Sequence, residues 1–226
     1  MTTALADLPP GMTDPVAGTQ GAFRTLLDAM ARPGRVRALP DAATAGLQAA
    51  ADDRRDRPGP GLAALLLTLL DAETQVQLLG TLDSPGTRAW LRFHTGVRAA
   101  TVGGTAAFTV VRADDLSPAA WQAIDLGTDE APQRGGTLIV EVPHLQALSA
   151  APVRAAAADG CAATVLTLRG PGIADAHHLA VGGLPDAFWA HRQQLRPLYP
   201  RGFELVLVRG HHLAAIPRTT RLTIDA

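Results

Sequence analysis

Glu204-Leu205-Val206-Leu207-Val208-Arg209-Gly210-His211-His212-Leu213-Ala214-Ala215-Ile216 holds two short apolar runs separated by polar residues and one glycine. An apolar run without alternation suits a strand buried on both faces, and glycine in the break suits a tight turn. The spacing predicts strands at 204–208 and 213–216, joined as a hairpin. Similar runs bounded by glycine, proline or charge predict strands at 137–142 and 163–168. Shorter ones are expected around Val76 and Leu78 and at 105–111, where β-branched residues gather.

Upstream of these strands the signals are helical. Asp14 can accept from an orphan N–H, and Pro15 stands where none is needed. Helix 15–31 follows, with Val16, Phe23, Leu26, Leu27 and Met30 on one face, and Arg32-Pro33-Gly34 stops it. The same start recurs at Ser84-Pro85, ahead of Trp90, Leu91 and Phe93, and at Ser117-Pro118, ahead of Trp121 and Ile124. Leu62 to Leu70 reads as a buried helix, at about half the length of a membrane span. Helices alternating with strands, then adjacent strands near the end, predict an α/β protein: a mixed β-sheet flanked by helices on both faces. One domain over 1–226 is expected, with 1–12 flexible and 52–61 an exposed loop.

A chain of 226 residues can bury roughly 70% of its unfolded surface, enough for one core without disulfides or a structural metal. The 47% hydrophobic content leans on alanine, so close approach of helix and sheet must replace bulk. A net charge of −1 gives no broad cationic field for nucleic acid. A lone Cys161 and a start with neither basic residues nor an apolar run imply a cytoplasmic protein, off the membrane. All 20 basic residues are arginine. Without lysine the chain can build neither a Schiff base to pyridoxal phosphate nor a Walker A loop, so no cofactor is expected.

Few residue patterns carry chemistry. Gly170-Pro171-Gly172-Ile173 follows a predicted strand, but Pro171 removes an N–H that a phosphate cradle would use, and a structural turn is the better reading. His177-His178 and His211-His212 are adjacent pairs, which point to opposite faces of an extended segment; they read as loop histidines, with no metal site expected. Cys161, beside a predicted strand, reads as a small buried thiol. Two segments resist a pure packing account. Arg92 and His94 cluster beside Phe93 at a helix end, and Arg218, Thr219 and Thr220 follow an apolar strand. Arginine's planar fork suits phosphate or carboxylate, and hydroxyls can complete such a site, so these five are candidates for binding an anion or a partner. The plainer alternative is that Arg92 and His94 complement a helix dipole and Arg218 pairs with a nearby carboxylate.

Taken together, Asp14-Pro15-Val16, Phe23-Arg24, Leu27-Asp28-Ala29-Met30, Pro33-Gly34, Leu91-Arg92-Phe93-His94-Thr95, Gly127-Thr128, Gly170-Pro171-Gly172-Ile173 and Ile216-Pro217-Arg218-Thr219-Thr220 resemble the PhnH family, from about residue 12 to 220. Tyr199-Pro200-Arg201-Gly202 stands where the family usually has Phe-Pro-x-Gly, and Glu204 where aspartate is usual. The resemblance implies a fold similar to pyridoxal-phosphate-dependent transferases without the cofactor lysine, self-association as a homodimer, and no catalytic residue of its own. It implies a subunit of the carbon–phosphorus lyase complex of phosphonate catabolism. With PhnG, PhnI, PhnJ and PhnL, such a subunit supports transfer of alkylphosphonate to the ribose of ATP with release of adenine, yielding ribose 1-methylphosphonate 5-triphosphate. The alternative reading is a lysine-independent transferase with its own anionic-ligand pocket.

The lack of lysine sets a direct test. Borohydride reduction in the presence of pyridoxal phosphate, followed by peptide mapping, should label no side chain.

Overall fold

The computed structural model describes residues 8–48, 56–100, 106–149 and 163–225. Helix α1 (Pro15–Ala31) starts as the sequence predicts, with Asp14 Oδ1 accepting from Val16 N at 3.1 Å and Ala17 N at 3.0 Å. Beyond it come β1 (Arg37–Ala38), α2 (Asp41–Gln48), α3 (Pro60–Leu69), β2 (Gln75–Leu78), α4 (Pro85–Thr95), β3 (Arg98–Ala99) and β4 (Phe108–Arg112). The second half holds α5 (Pro118–Gln122), β5 (Thr137–Glu141), β6 (Leu145–Leu148), β7 (Ala163–Arg169), β8 (His177–Gly182), α6 (Asp186–Gln194), β9 (Glu204–Arg209), β10 (His212–Ile216) and β11 (Arg221–Asp225). Among the described residues, no helix is long and apolar enough to cross a membrane.

Strands β1-β10-β9-β5-β4-β2-β3 form a mixed seven-stranded sheet. Its parallel part runs from β3 through β2, β4 and β5 to β9; β10 then returns antiparallel to β9 across Gly210 and His211, as the hairpin reading expects. Burial alternates by face. Ile139, Val206, Val208, Leu213 and Ala215 pack with α1, α2, α3 and α4. Leu138, Val140, Leu205, Leu207, Ala214 and Ile216 face the other way.

That second face corrects the expectation of helices on both sides. It is covered largely by a four-stranded antiparallel sheet, β11-β7-β8-β6, with α5 and α6 contributing Trp121, Phe188 and Trp189. Strands β6, β8 and β11 went unread because each buries only part of its length and carries histidine, glutamine, arginine or aspartate among its apolar residues. His177 and His178 accordingly lie on β8, half-buried, rather than in an exposed loop.

The buried face of α1 also differs from the expected one. Gly18, Ala22, Leu26 and Ala29 are buried, while Val16, Phe23 and Leu27 are exposed. Small residues let α1 lie close against its neighbours: a Cβ at Gly18 would sit 2.9 Å from the Ala42 carbonyl oxygen. In an alanine-rich core, proximity rather than side-chain bulk selects the inward face.

The segment read as flexible at 1–12 is described from Leu8 onward, where Met12 is buried and Pro9 accepts a hydrogen bond from Trp90 Nε1 at 3.1 Å. Of 52–61, positions 52–55 lie outside the described residues, Asp56 is exposed, and Pro60 and Gly61 open α3, with Gly61 buried. Cys161 also lies outside the described residues.

Gly61 joins helix to hairpin. Its N–H donates to the Gly210 carbonyl at 2.9 Å, and a Cβ at Gly61 would run into that same oxygen. Gly210 has a φ of 58° and open space around its own Cβ position. Gly210→Ala should therefore cost only the left-handed penalty, about 1–2 kcal/mol. Gly61→Ala should cost more, since backbone must move. Urea unfolding of the two variants checks the order.

Candidate functional site

Strand β10 runs antiparallel to β9, so its last residue, Ile216, pairs with Leu205 at the amino end of the parallel strands. Pro217 to Thr220 therefore lies at the amino edge of the sheet, opposite the carboxyl edge where open α/β sheets usually hold ligands. At the carboxyl edge several polar side chains are engaged in internal bonds. Glu141 Oε1 accepts from Gly59 N at 3.1 Å, Arg112 Nη2 lies 3.2 Å from Glu141 Oε2, and Asp115 Oδ2 accepts from Thr81 N at 2.8 Å. Burial pushes the Glu141 carboxyl above its ordinary range, against the opposing pull of Arg112.

At the amino edge, Arg218 is clamped. Its Nε lies 2.5 Å from Glu204 Oε1, its backbone N–H donates to Glu204 Oε2 at 2.8 Å, and its Nη1 donates to the Pro132 carbonyl. The side chains are 15% and 19% exposed, so this is a sheltered pair. The plainer reading of Arg218, an internal ion pair, describes its present bonding.

Arg218 nevertheless borders a cleft of about 360 Å³, lined also by Arg169, Gly170, Pro171, Arg196, Tyr199, Thr219 and Arg221. A second lobe of about 480 Å³ shares Pro171, Tyr199, Arg218 and Thr219 with it and adds Met30, Pro132 and Pro200. The floor is shaped by the β7–β8 turn. Gly172, with a φ of 80°, lies so close to α1 that a Cβ would collide with the Ala31 carbonyl, so the Gly170-Pro171-Gly172 motif serves as a packed turn.

Behind the wall lies Arg192, buried over the ring of Phe203 at 5.0 Å. Burial lowers its pKa to about 10, which leaves it charged at neutral pH, with Glu204 favouring and Arg218 opposing that charge.

The five residues singled out by sequence do not meet. Arg218 and Thr219 line the cleft, whereas Thr220 is buried. Arg92 and His94 occupy the last turn of α4 in the helical layer, where the His94 ring nitrogen Nε2 is 3.2 Å from the Pro9 carbonyl. Arg169, Arg196 and Arg221 were missed because no local motif marks them; only strand pairing and the turn after α6 bring them together. Among the described residues, no group of three histidine, cysteine, aspartate or glutamate side chains is placed to hold a metal.

A sequence model of the family described as bacterial phosphonate metabolism protein (PhnH) matches residues 10–223. The chain belongs to the PhnH family. Among curated relatives, the PhnH subunit of alpha-D-ribose 1-methylphosphonate 5-triphosphate synthase from Rhizobium meliloti (strain 1021) is 33% identical over 212 residues, 92% of each chain. HtxG of Stutzerimonas stutzeri, provisionally named a C-P lyase subunit protein, is 30% identical over 212 residues, 91% of this chain and 86% of its own. Within this PhnH-family chain, the cleft gathers guanidiniums of the kind that pair with anions.

Removing Arg218 from its clamp strands a sheltered carboxylate, so Arg218→Met should destabilise the chain by about 1–3 kcal/mol. Arg218→Lys keeps the charge and loses the fork, and should fall between. Unfolding free energies in urea measure both. A loss under about 0.5 kcal/mol for the methionine variant would show that the clamp contributes little.

Proposed function

We propose that this chain is a subunit of the assembly that makes ribose 1-methylphosphonate 5-triphosphate in phosphonate catabolism. It supports, with PhnG-, PhnI-, PhnJ- and PhnL-type partners, a substitution at the anomeric carbon of ATP: a phosphonate oxygen bonds to that carbon and adenine leaves. The observation that carries this reading is the match to the Rhizobium synthase subunit across 92% of both chains. The cleft's chemistry agrees with a contributing role. Its lining offers guanidiniums, one phenol and one threonine hydroxyl, which hold and orient anions.

The same reading takes the isolated chain as a cytoplasmic homodimer, on a scaffold similar to pyridoxal-phosphate-dependent transferases. The absence of lysine supports the part of it that dispenses with the cofactor. A second reading, a lysine-independent transferase acting alone, draws on the arginine-lined cleft itself.

Adenine release from ATP and methylphosphonate separates the two. The purified chain alone should release none, while the reconstituted subunit set should release it and should fail when this chain is omitted. Release by the isolated chain, after exclusion of contaminants, would establish the second reading in place of the first.

A further inference from the structure

Arg169 ends β7 and Arg221 opens β11, and the antiparallel register sets them directly opposite one another. Opposed residues of such a pair share a face, with Cβ atoms about 4.5–5.5 Å apart, and like charges there are destabilising. Arg196 reaches the same cleft from the turn at Arg196–Leu198, and Arg218 closes it.

The four guanidiniums are not equally engaged. Arg218 is held by Glu204. Arg169 pairs with Asp175 at 2.7 Å, but the Asp175 side chain is 88% exposed, so water competes readily for that contact. Arg196 and Arg221 make no side-chain hydrogen bond or ion pair among the described residues. Among the described residues, four cations and two carboxylates thus leave two positive charges without a carboxylate partner in one cleft, on a chain whose net charge is −1.

We propose that this cleft binds a polyphosphate group. Arg196 and Arg221 are its direct ligands, Arg169 joins them by giving up Asp175, and Arg218 with Thr219 forms the fixed wall. A single carboxylate is matched by one guanidinium fork, whereas several forks around one opening suit an anion with two or more phosphoryl groups. At about 360 Å³ the cleft lies within the range of roughly 300–1,000 Å³ typical of small-molecule sites. A bound polyanion also offsets the repulsion between Arg169 and Arg221. The proposal rests on the reading of the cleft as an anionic-ligand site, and adds the ligand class and the ligating residues.

Calorimetric titration of the full chain with inorganic tripolyphosphate and with orthophosphate tests it. Tripolyphosphate should bind at least about tenfold more tightly, and Arg196→Gln and Arg221→Gln should each weaken it about tenfold or more. Arg24→Gln, an exposed site on α1 that is not part of the cleft lining, should change it less than about twofold, as expected of a charge that does not touch the ligand. Arg221→Gln should also raise the thermal midpoint of the free chain, because it removes a like-charge pair. Absence of tripolyphosphate binding, equal affinity for the two anions, or an equal loss in Arg24→Gln would overturn the proposal. If binding fails while the reconstituted set still needs this chain for adenine release, the cleft assignment falls and the subunit reading stands. Binding that depends on Arg196 and Arg221, with no adenine release from the set, gives the reverse.

Discussion

Strands β5, β9 and β10 are buried on both faces, and every other layer is arranged around that condition. A strand in this position must satisfy its backbone laterally and cover two sets of side chains, so it needs a strand on each side and a layer above and below. Residues Leu205 to Val208 meet the demand by alternation: Leu205 and Leu207 enter the core shared with the small sheet, Val206 and Val208 the core shared with the helices. The helical layer comes close because Gly18, Ala22 and Gly61 stand at its contacts, where a larger residue would hold it away.

The same condition explains which parts of the fold were legible in the sequence. Two-sided burial writes itself as continuous apolar runs, and those at 137–142, 204–208 and 213–216 match β5, β9 and β10 closely. Proline at the first helical position after aspartate or serine placed the starts of α1, α4 and α5. Strands β6, β8 and β11 were illegible because covering one face leaves a mixed pattern; β8 even opens on two histidines. The orientation of α1 was misread for the opposite reason, since its bulky residues point outward and its small ones make the contacts.

The candidate site was legible only in part. Arg218 and Thr219 were marked by their place after an apolar strand, and both line the cleft. Arg92 and His94 carried an equally suggestive local pattern, yet they sit in another layer. Arg169, Arg196 and Arg221 come from segments up to 52 residues apart (221 − 169), and their proximity exists only through the β7–β11 register and the turn after α6. Such a cluster is a product of topology, so no window of sequence contains it.

The restriction to arginine also decides how the cleft titrates. A guanidinium keeps its proton far above neutrality, even Arg192 in its buried position at about 10, and among the described residues no histidine lines the opening. Between pH 5 and 8 an arginine side chain does not ordinarily change its charge. A terminal phosphate exchanges its second proton near pH 6, inside that interval. A change in anion affinity over this range accordingly follows the proton on the guest's terminal phosphate.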